Sequence, residues 1–226
     1  MPPTTARERA RAELTAEITD LARAQLATVG AAGLSLRAVA RELGMASSAM
    51  YRYFPSRDDL LTRLIIDGYA ALGDAAEAAD DPAAAPRDRW LGICRAVRAW
   101  ARAHPHEYAL LYGSPVPGYS APRDTVPVAI RVGAALGRVL GDAARAGQLP
   151  PAAGTPTGAL APGVAPVLGG DHPDIDDRVR ARGLLAWSGL FGAISFELFG
   201  HFTGAVADAD AFFDDAMRDL AGLLGL

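Results

Sequence analysis

Apolar residues recur at spacings of three and four along nearly the whole chain, and the breaks between these stripes carry glycine or proline. Leu14, Ile18, Leu21, Ala22 and Leu26 form the first stripe and predict a helix over 8–29, after a mobile arm at 2–6 and before a stop at 30–33. Leu36, Val39, Ala40 and Leu43 predict a short second helix that Ser35 can N-cap and that Gly44 stops. Ala40 lies on its buried face, where a steeply crossing helix leaves room for little more than a methyl group. After Gly44, Met45 is apolar and inward, Ser47 can cap a third helix, and Ala49, Met50 and Tyr53 can face the core. Ser47, Ser48, Tyr51 and Arg52 are left facing outward.

Ser56 caps a long fourth helix, with Asp58 and Asp59 in its first turn complementing the helix dipole. Leu60, Leu61, Leu64, Ile65 and Leu72 are its buried positions, and it links the first three helices to the rest of the chain. Residues 80–86 break the pattern. A fifth helix over 87–104 puts Trp90, Ile93, Cys94, Val97 and Trp100 on one broad face, and Pro105 restarts a short helix through Tyr112. Residues 113–124 read as a loop, and 126–146 as a helix carrying Ile130, Ala134, Leu136, Val139 and Leu140, stopped by Gly147. Residues 148–172 hold five prolines and five glycines with no periodicity and are expected to form a flexible loop. An eighth helix over 174–201 and a ninth over 208–224 complete an all-α fold.

Residues 35–57 have the layout of a helix-turn-helix, in which a short second helix offers small polar and aromatic side chains to base edges and phosphates in a major groove. The run that follows the turn, Tyr51-Arg52-Tyr53-Phe54-Pro55-Ser56-Arg57-Asp58-Asp59-Leu60-Leu61, sharpens that reading. Here the chain resembles the DNA-binding domain of the TetR family of transcriptional regulators. That family's pattern has Tyr, any residue, His or Tyr, then Phe, a short turn, a basic residue, two acids and Leu with Leu or Phe. Arg57 stands where lysine is more usual. The resemblance implies a three-helix DNA-binding domain at 1–56 and a helical ligand-binding and dimerisation domain at 57–226. Matched to the motif, Arg37 reaches a base or phosphate. Ser47, Ser48 and Tyr51 face the groove with Ala46 and Arg52 beside them, and Tyr53 and Arg57 grip the DNA backbone.

The 226-residue chain is 50% apolar, enough for a small domain and a larger one, and its net charge of −4 would argue against nucleic acid if it were uniform. It is not uniform. Arg37, Arg41, Arg52 and Arg57 face only Glu42 within 35–57, and the N-terminal arm adds Arg7, Arg9 and Arg11 against Glu8. The acidic surplus lies downstream, at 174–177 and 208–219, so a basic face on an acidic body suits a sequence-specific binder. All 22 basic residues are arginine, which GC-rich codon usage explains. The single cysteine, Cys94, excludes an intramolecular disulfide and suits a reducing cytosol; with no signal peptide ahead of the first helix, a cytoplasmic location is expected. The uncharged stretch 183–196 is 14 residues long, short of the roughly 20 that span a membrane.

One helix-turn-helix per chain implies a homodimer on a two-fold operator, and the family places the interface on the last two helices, near 174–201 and 208–224. Gly189, Gly192, Ala193, Gly200 and Gly204 would allow close backbone approach, and Leu190, Phe191, Ile194, Leu198 and Phe202 supply apolar surface; filling the chain's own core is the alternative. One TetR subfamily carries a Trp-x-x-x-His-Gly run in this helix; here it reads Trp187-Ser188-Gly189-Leu190-Phe191-Gly192, with Phe191 in place of the histidine. The family also implies an effector that tilts the fourth helix. Trp90, Val97, Trp100, Tyr108, Leu111, Tyr112, Ile130 and Trp187 are candidate lining residues for a hydrophobic small molecule, and plain core is the alternative for each aromatic.

His104-Pro105-His106-Glu107 lacks a third ligand at helical spacing and reads as a helix end restarted by proline, so no metal site is assigned. Ser114 and Ser120 lack a nucleophile-elbow context, Cys94 sits mid-helix on an apolar face, and no phosphate-cradling loop is present, so no enzyme activity or cofactor is expected. The expected function is a ligand-responsive dimeric repressor released from an operator. An activator of the same fold, or a helical binding or catalytic protein that has lost DNA binding, are the alternatives.

Overall fold

The computed structural model describes residues 5–150, 160, 175 and 177–226. Ten α-helices lie among them, and no strand: α1 (Ala6–Gly33), α2 (Leu36–Glu42), α3 (Ser47–Met50), α4 (Arg57–Ala78), α5 (Pro86–Ala103), α6 (Pro105–Tyr112), α7 (Val126–Ala129), α8 (Arg131–Arg145), α9 (Asp177–Leu198) and α10 (Ala209–Leu224). The single helix expected over 126–146 is divided at Ile130 into α7 and α8. The expected loop at 148–172 lies outside the described residues except for 148–150 and 160; so do 2–4 of the expected arm, and 174 and 176 at the expected start of the eighth helix. No helix among the described residues is long and apolar enough to cross a membrane.

The chain divides into two compact units, Met1–Gly68 with His104–Thr125, and Tyr69–Ala103 with Val126–Leu226. In the first unit α1 begins earlier than its apolar stripe, because Thr5 and Glu8 close a capping box: the Thr5 hydroxyl accepts from the Glu8 N–H at 3.2 Å and the Glu8 carboxylate accepts from the Thr5 N–H at 2.7 Å. The helix is broken at Gly30, whose φ of +66° lies in the left-handed region. Ile18, Ala22 and Leu26 of α1 share one core with Leu36, Val39 and Ala40 of α2, Met50 and Phe54, and Leu60, Leu61 and Leu64 of α4. Helix α6 packs on α1. Arg23 adds polar ties from α1 to Asp67 of α4 at 3.2 Å and to Glu107 of α6 at 3.3 Å.

The second unit is built around α5, which packs on α8, α9 and α10. Trp90, Ile93, Cys94 and Val97 are buried on it, as their spacing predicts, and burial pushes the Cys94 thiol well above its ordinary pKa. The opposite edge of α5 carries arginines that reach the later helices. Arg98, only 8% exposed, makes a two-pronged contact to Glu197 at 2.7 and 2.8 Å, pairs with Asp210 at 2.8 Å and lies 4.7 Å from the Phe213 ring centre. Arg95 makes the same kind of fork to Asp214. Arg131 of α8 holds Asp74 and Glu77 at the end of α4 and keeps the Glu77 carboxyl below the usual range.

Candidate nucleic-acid interface

The exposed surface of the first unit is set by a turn that three backbone features specify. Ser35 has the extended backbone of an N-cap, and its hydroxyl accepts from the Ala38 N–H at 3.4 Å. At the other end of α2 the Gly44 N–H donates to the Arg41 carbonyl at 3.1 Å and the Met45 N–H to the Ala40 carbonyl at 2.8 Å, the paired bonds of a Schellman motif. Gly44 has φ of +64°, and a methyl group built there would meet nothing within 4 Å. Torsion alone therefore requires glycine, and Met45 packs inward to complete the motif.

The chain enters α3 directly from this turn. Ala46 rather than Ser47 takes the N-cap position, without a side-chain cap, so the expected second serine cap is not made. The consequence is that Ser47 and Ser48 stand exposed in the first turn of α3 with their hydroxyls unbonded within the described protein. Met50 is fully buried and anchors the helix, Ala49 and Tyr53 are half-buried, and Tyr51 and Arg52 are exposed, as the outward face expected from the spacing. Arg37 is exposed on α2. It lines one depression of about 410 Å³ together with Tyr51, Ser35, Ser56 and Arg57.

Arg57 is engaged within the protein. Its Nε donates to the Leu34 carbonyl at 3.1 Å, and its Nη2 to the carbonyls of Ala31 at 2.7 Å and Ala32 at 3.1 Å. These carbonyls lie beyond the Gly30 break, where that of Ala31 otherwise accepts only from the Leu34 N–H at 3.4 Å, so the residue ties the start of α4 to the end of α1. Ser56 and Asp59 fix that start, the Asp59 N–H donating to the Ser56 hydroxyl at 3.1 Å and the hydroxyl to the Asp59 carboxylate at 2.6 Å. Tyr53 is likewise engaged within the protein, its ring centre 5.5 Å from the Arg11 guanidinium carbon.

Residues 18–64 match the model of bacterial regulatory proteins of the tetR family, and 90–220 that of the tetracyclin repressor-like C-terminal domain. The chain belongs to the TetR family. The HTH-type transcriptional regulator Rv1816 of Mycobacterium tuberculosis is 44% identical, with 96% of this chain and 95% of that protein covered, and Mb1846 of Mycobacterium bovis matches to the same extent. The solved structure of regulatory protein SCO4313 covers 96% of this chain and 100% of its own at 37% identity and a TM-score of 0.74. A Rhodococcus sp. RHA1 protein of unknown function covers 92% and 95% at 27% identity and a TM-score of 0.68. This TetR-family protein is therefore a DNA-binding transcriptional regulator with a helix-turn-helix head.

The residues expected to line an effector site fall in both units of this TetR regulator. Trp90, Val97, Trp100, Ile130 and Trp187 belong to the second, and Tyr108, Leu111 and Tyr112 to the first. Trp90 is core, its indole N–H donating to the Met217 carbonyl at 3.3 Å, and Val97 is fully buried beside it on α5. Trp187 is half-buried with its ring 5.2 Å from that of buried Phe191. Tyr108 is buried with its ring 5.1 Å from Tyr112, and Leu111 packs beside Gly68 of α4.

Two substitutions test this geometry. Gly44→Ala forces an L side chain into the left-handed region in open space and costs about 1–2 kcal/mol of stability in denaturant unfolding, with Gly44→Asn milder. Arg57→Ala lowers stability by about 1–3 kcal/mol through the lost carbonyl contacts, while the salt dependence of DNA binding stays as in the parent. A flattened salt dependence at undiminished stability would return Arg57 to the phosphate-gripping role.

Proposed function

We propose that the protein is a homodimeric repressor that holds a palindromic operator through two copies of α3 and releases it when a hydrophobic small molecule binds. The reading is carried by the exposed, unspent polar set on and after α3: the hydroxyls of Ser47, Ser48 and Tyr51 and the guanidinium of Arg52, with Arg37 beside them. Such groups match base edges and phosphates, and a helix held by a single Schellman turn presents them at the protein surface. Ala46, at the head of α3, lets the backbone come close.

A second copy is supported by apolar surface that is exposed among the described residues. Leu185, Phe196 and Phe199 on or just after α9 and Phe212 and Leu223 on α10 are all exposed, Phe196 by 51%. Gly192 lies at the same helical spacing on α9 with open space where a side chain would stand. Two heads read half-sites about one helical turn, roughly 34–36 Å, apart. Helix α4 begins in the first unit and ends in the second, so an effector that prefers one orientation of it shifts the population away from the DNA-competent state. The apolar and aromatic side chains of Trp100, Ile130 and Trp187 are of the type that lines a site for a hydrophobic effector with few hydrogen-bonding groups.

Selection of binding sites from random duplex DNA tests the reading, with recovery of a short inverted repeat as the expected outcome. Tyr51→Ala should then lose about 1–3 kcal/mol of affinity for that repeat, and unchanged affinity removes Tyr51 from the reading surface. Phe196→Glu, which puts a charge in the middle of the exposed stripe, should convert the protein to a monomer in sedimentation and abolish tight binding to the two-fold site. A dimer that survives this change places the interface elsewhere.

A further inference from the structure

The arginines of the DNA-facing unit extend past the helix-turn-helix. Arg7, Arg9, Arg11, Arg37, Arg41 and Arg52 make no ion pair among the described residues, whereas Arg89, Arg95 and Arg98 of the second unit are each paired with carboxylates. Three of the unpaired ones converge. A depression of about 340 Å³ is lined by Arg7, Ala10, Arg11 and Leu14 of α1 and by Arg52 and Tyr53 after α3. Arg7 and Arg11 are four apart and so share a helix face. The Arg11 Nη2 donates to the Arg52 carbonyl at 3.1 Å while its guanidinium lies over Tyr53, which fixes the first turns of α1 against the end of the reading segment. The nearest acid in sequence, Glu8, is turned onto the Thr5 N–H and hydroxyl.

Three arginines line this one depression with no carboxylate among its lining residues, so their positive charge favours an anion there. Their planar donor forks match phosphate oxygens, and Arg52 makes the depression continuous with the exposed face of α3. We propose that this depression is a second seat for the DNA backbone, taking one phosphate outside the bases faced by α3 in each half-site. Arg7, Arg11 and Arg52 supply the charge, and Tyr53 holds Arg11 in place. The inference rests on the DNA-binding reading of α3.

The test compares the parent with Arg7→Ala, Arg11→Ala, Arg11→Lys and the Arg7→Ala/Arg11→Ala pair on random duplex and on the selected repeat, between about 50 and about 200 mM salt. Loss of the seat lowers the salt slope by about 0.9 per phosphate released, an affinity change of about 3-fold per contact across that range, and weakens both duplexes alike. A single neutral methylphosphonate at the seated position should weaken the parent and leave the double variant unaffected. A double variant with the parent's slope and the parent's sensitivity at every methylphosphonate position overturns the seat. Thermal unfolding of each variant controls for folding. Because Arg7 has no ion-pair partner among the described residues, Arg7→Ala decides the matter if Arg11→Ala proves unstable. Failure of the α3 reading is separate: there Tyr51→Ala keeps the parent's preference for the repeat, whatever Arg7 and Arg11 do.

Discussion

Breaking α1 at Gly30 ends its regular ladder, so that the Ala31 carbonyl accepts only a long 3.4 Å bond from the Leu34 N–H, and the end-of-helix carbonyls here are costly unless something more donates to them. The Arg57 guanidinium does so from the first residue of α4. Gln25 adds a parallel tie, its side-chain oxygen accepting from the Ser35 N–H at 3.3 Å. Together they hold the end of α1, the start of α2 and the start of α4 in one arrangement, and the shared apolar core of these helices fills the space beneath. The position of α3 follows, since it joins this frame through the Gly44 turn, Met50 and the short run to Pro55, where Arg11 of α1 also holds Arg52 and Tyr53. A four-residue helix has no stability of its own; its orientation is borrowed from the neighbours that Arg57 clamps.

An acidic chain can bind a polyanion when its charges are sorted by where they are neutralised. In the second unit Asp80, Asp142, Glu197, Asp210 and Asp214 all face arginines. Arg7, Arg9, Arg11, Arg37, Arg41 and Arg52 of the first unit have no such partners among the described residues, and so their field is felt by a ligand rather than by the protein itself. Composition alone hides this, because the net charge averages a compensated body with an uncompensated face.

What could be read from the sequence follows the range of the interaction involved. Ser35, Gly44 and Ser56 act on backbone groups within a few residues, and their caps and turn were legible from type and spacing, as were the buried positions Leu60, Leu61, Leu64 and Ile65 of α4. The Thr5-x-x-Glu8 box was equally local, and the signal was present though the segment reads as an arm by its proline content. Arg57 was not legible: its place in the motif says that it begins a helix, but its partners lie more than twenty residues earlier and exist only because α1 breaks. Gly189 and Gly192 make the same point. Both sit on α9, yet a side chain at 189 would meet Leu220 at 2.9 Å, so that glycine serves the packing of α10 within the chain, while the space at 192 is open. Leu190, Phe191 and Ile194 likewise turn inward, while Leu185, Phe196 and Phe199 are exposed apolar positions.

That division of α9 has an electrostatic cause. Arg95, Arg98 and Arg102 recur at three- and four-residue spacing on α5 and draw Glu197, Asp210 and Asp214 toward it. These carboxylates are thereby engaged by α5, Glu197 in a largely buried pair with Arg98, and the Arg98 guanidinium is further shielded against Phe213. What remains at that corner is aromatic, with Phe196 within 5.7 Å of Phe202 and Phe202 within 5.1 Å of Phe212. An apolar edge of this kind is expensive to leave in water, and a second copy of the same edge is the surface that matches it residue for residue about a two-fold axis. The ion pairs of α5 thus prepare the proposed dimer face without taking part in it.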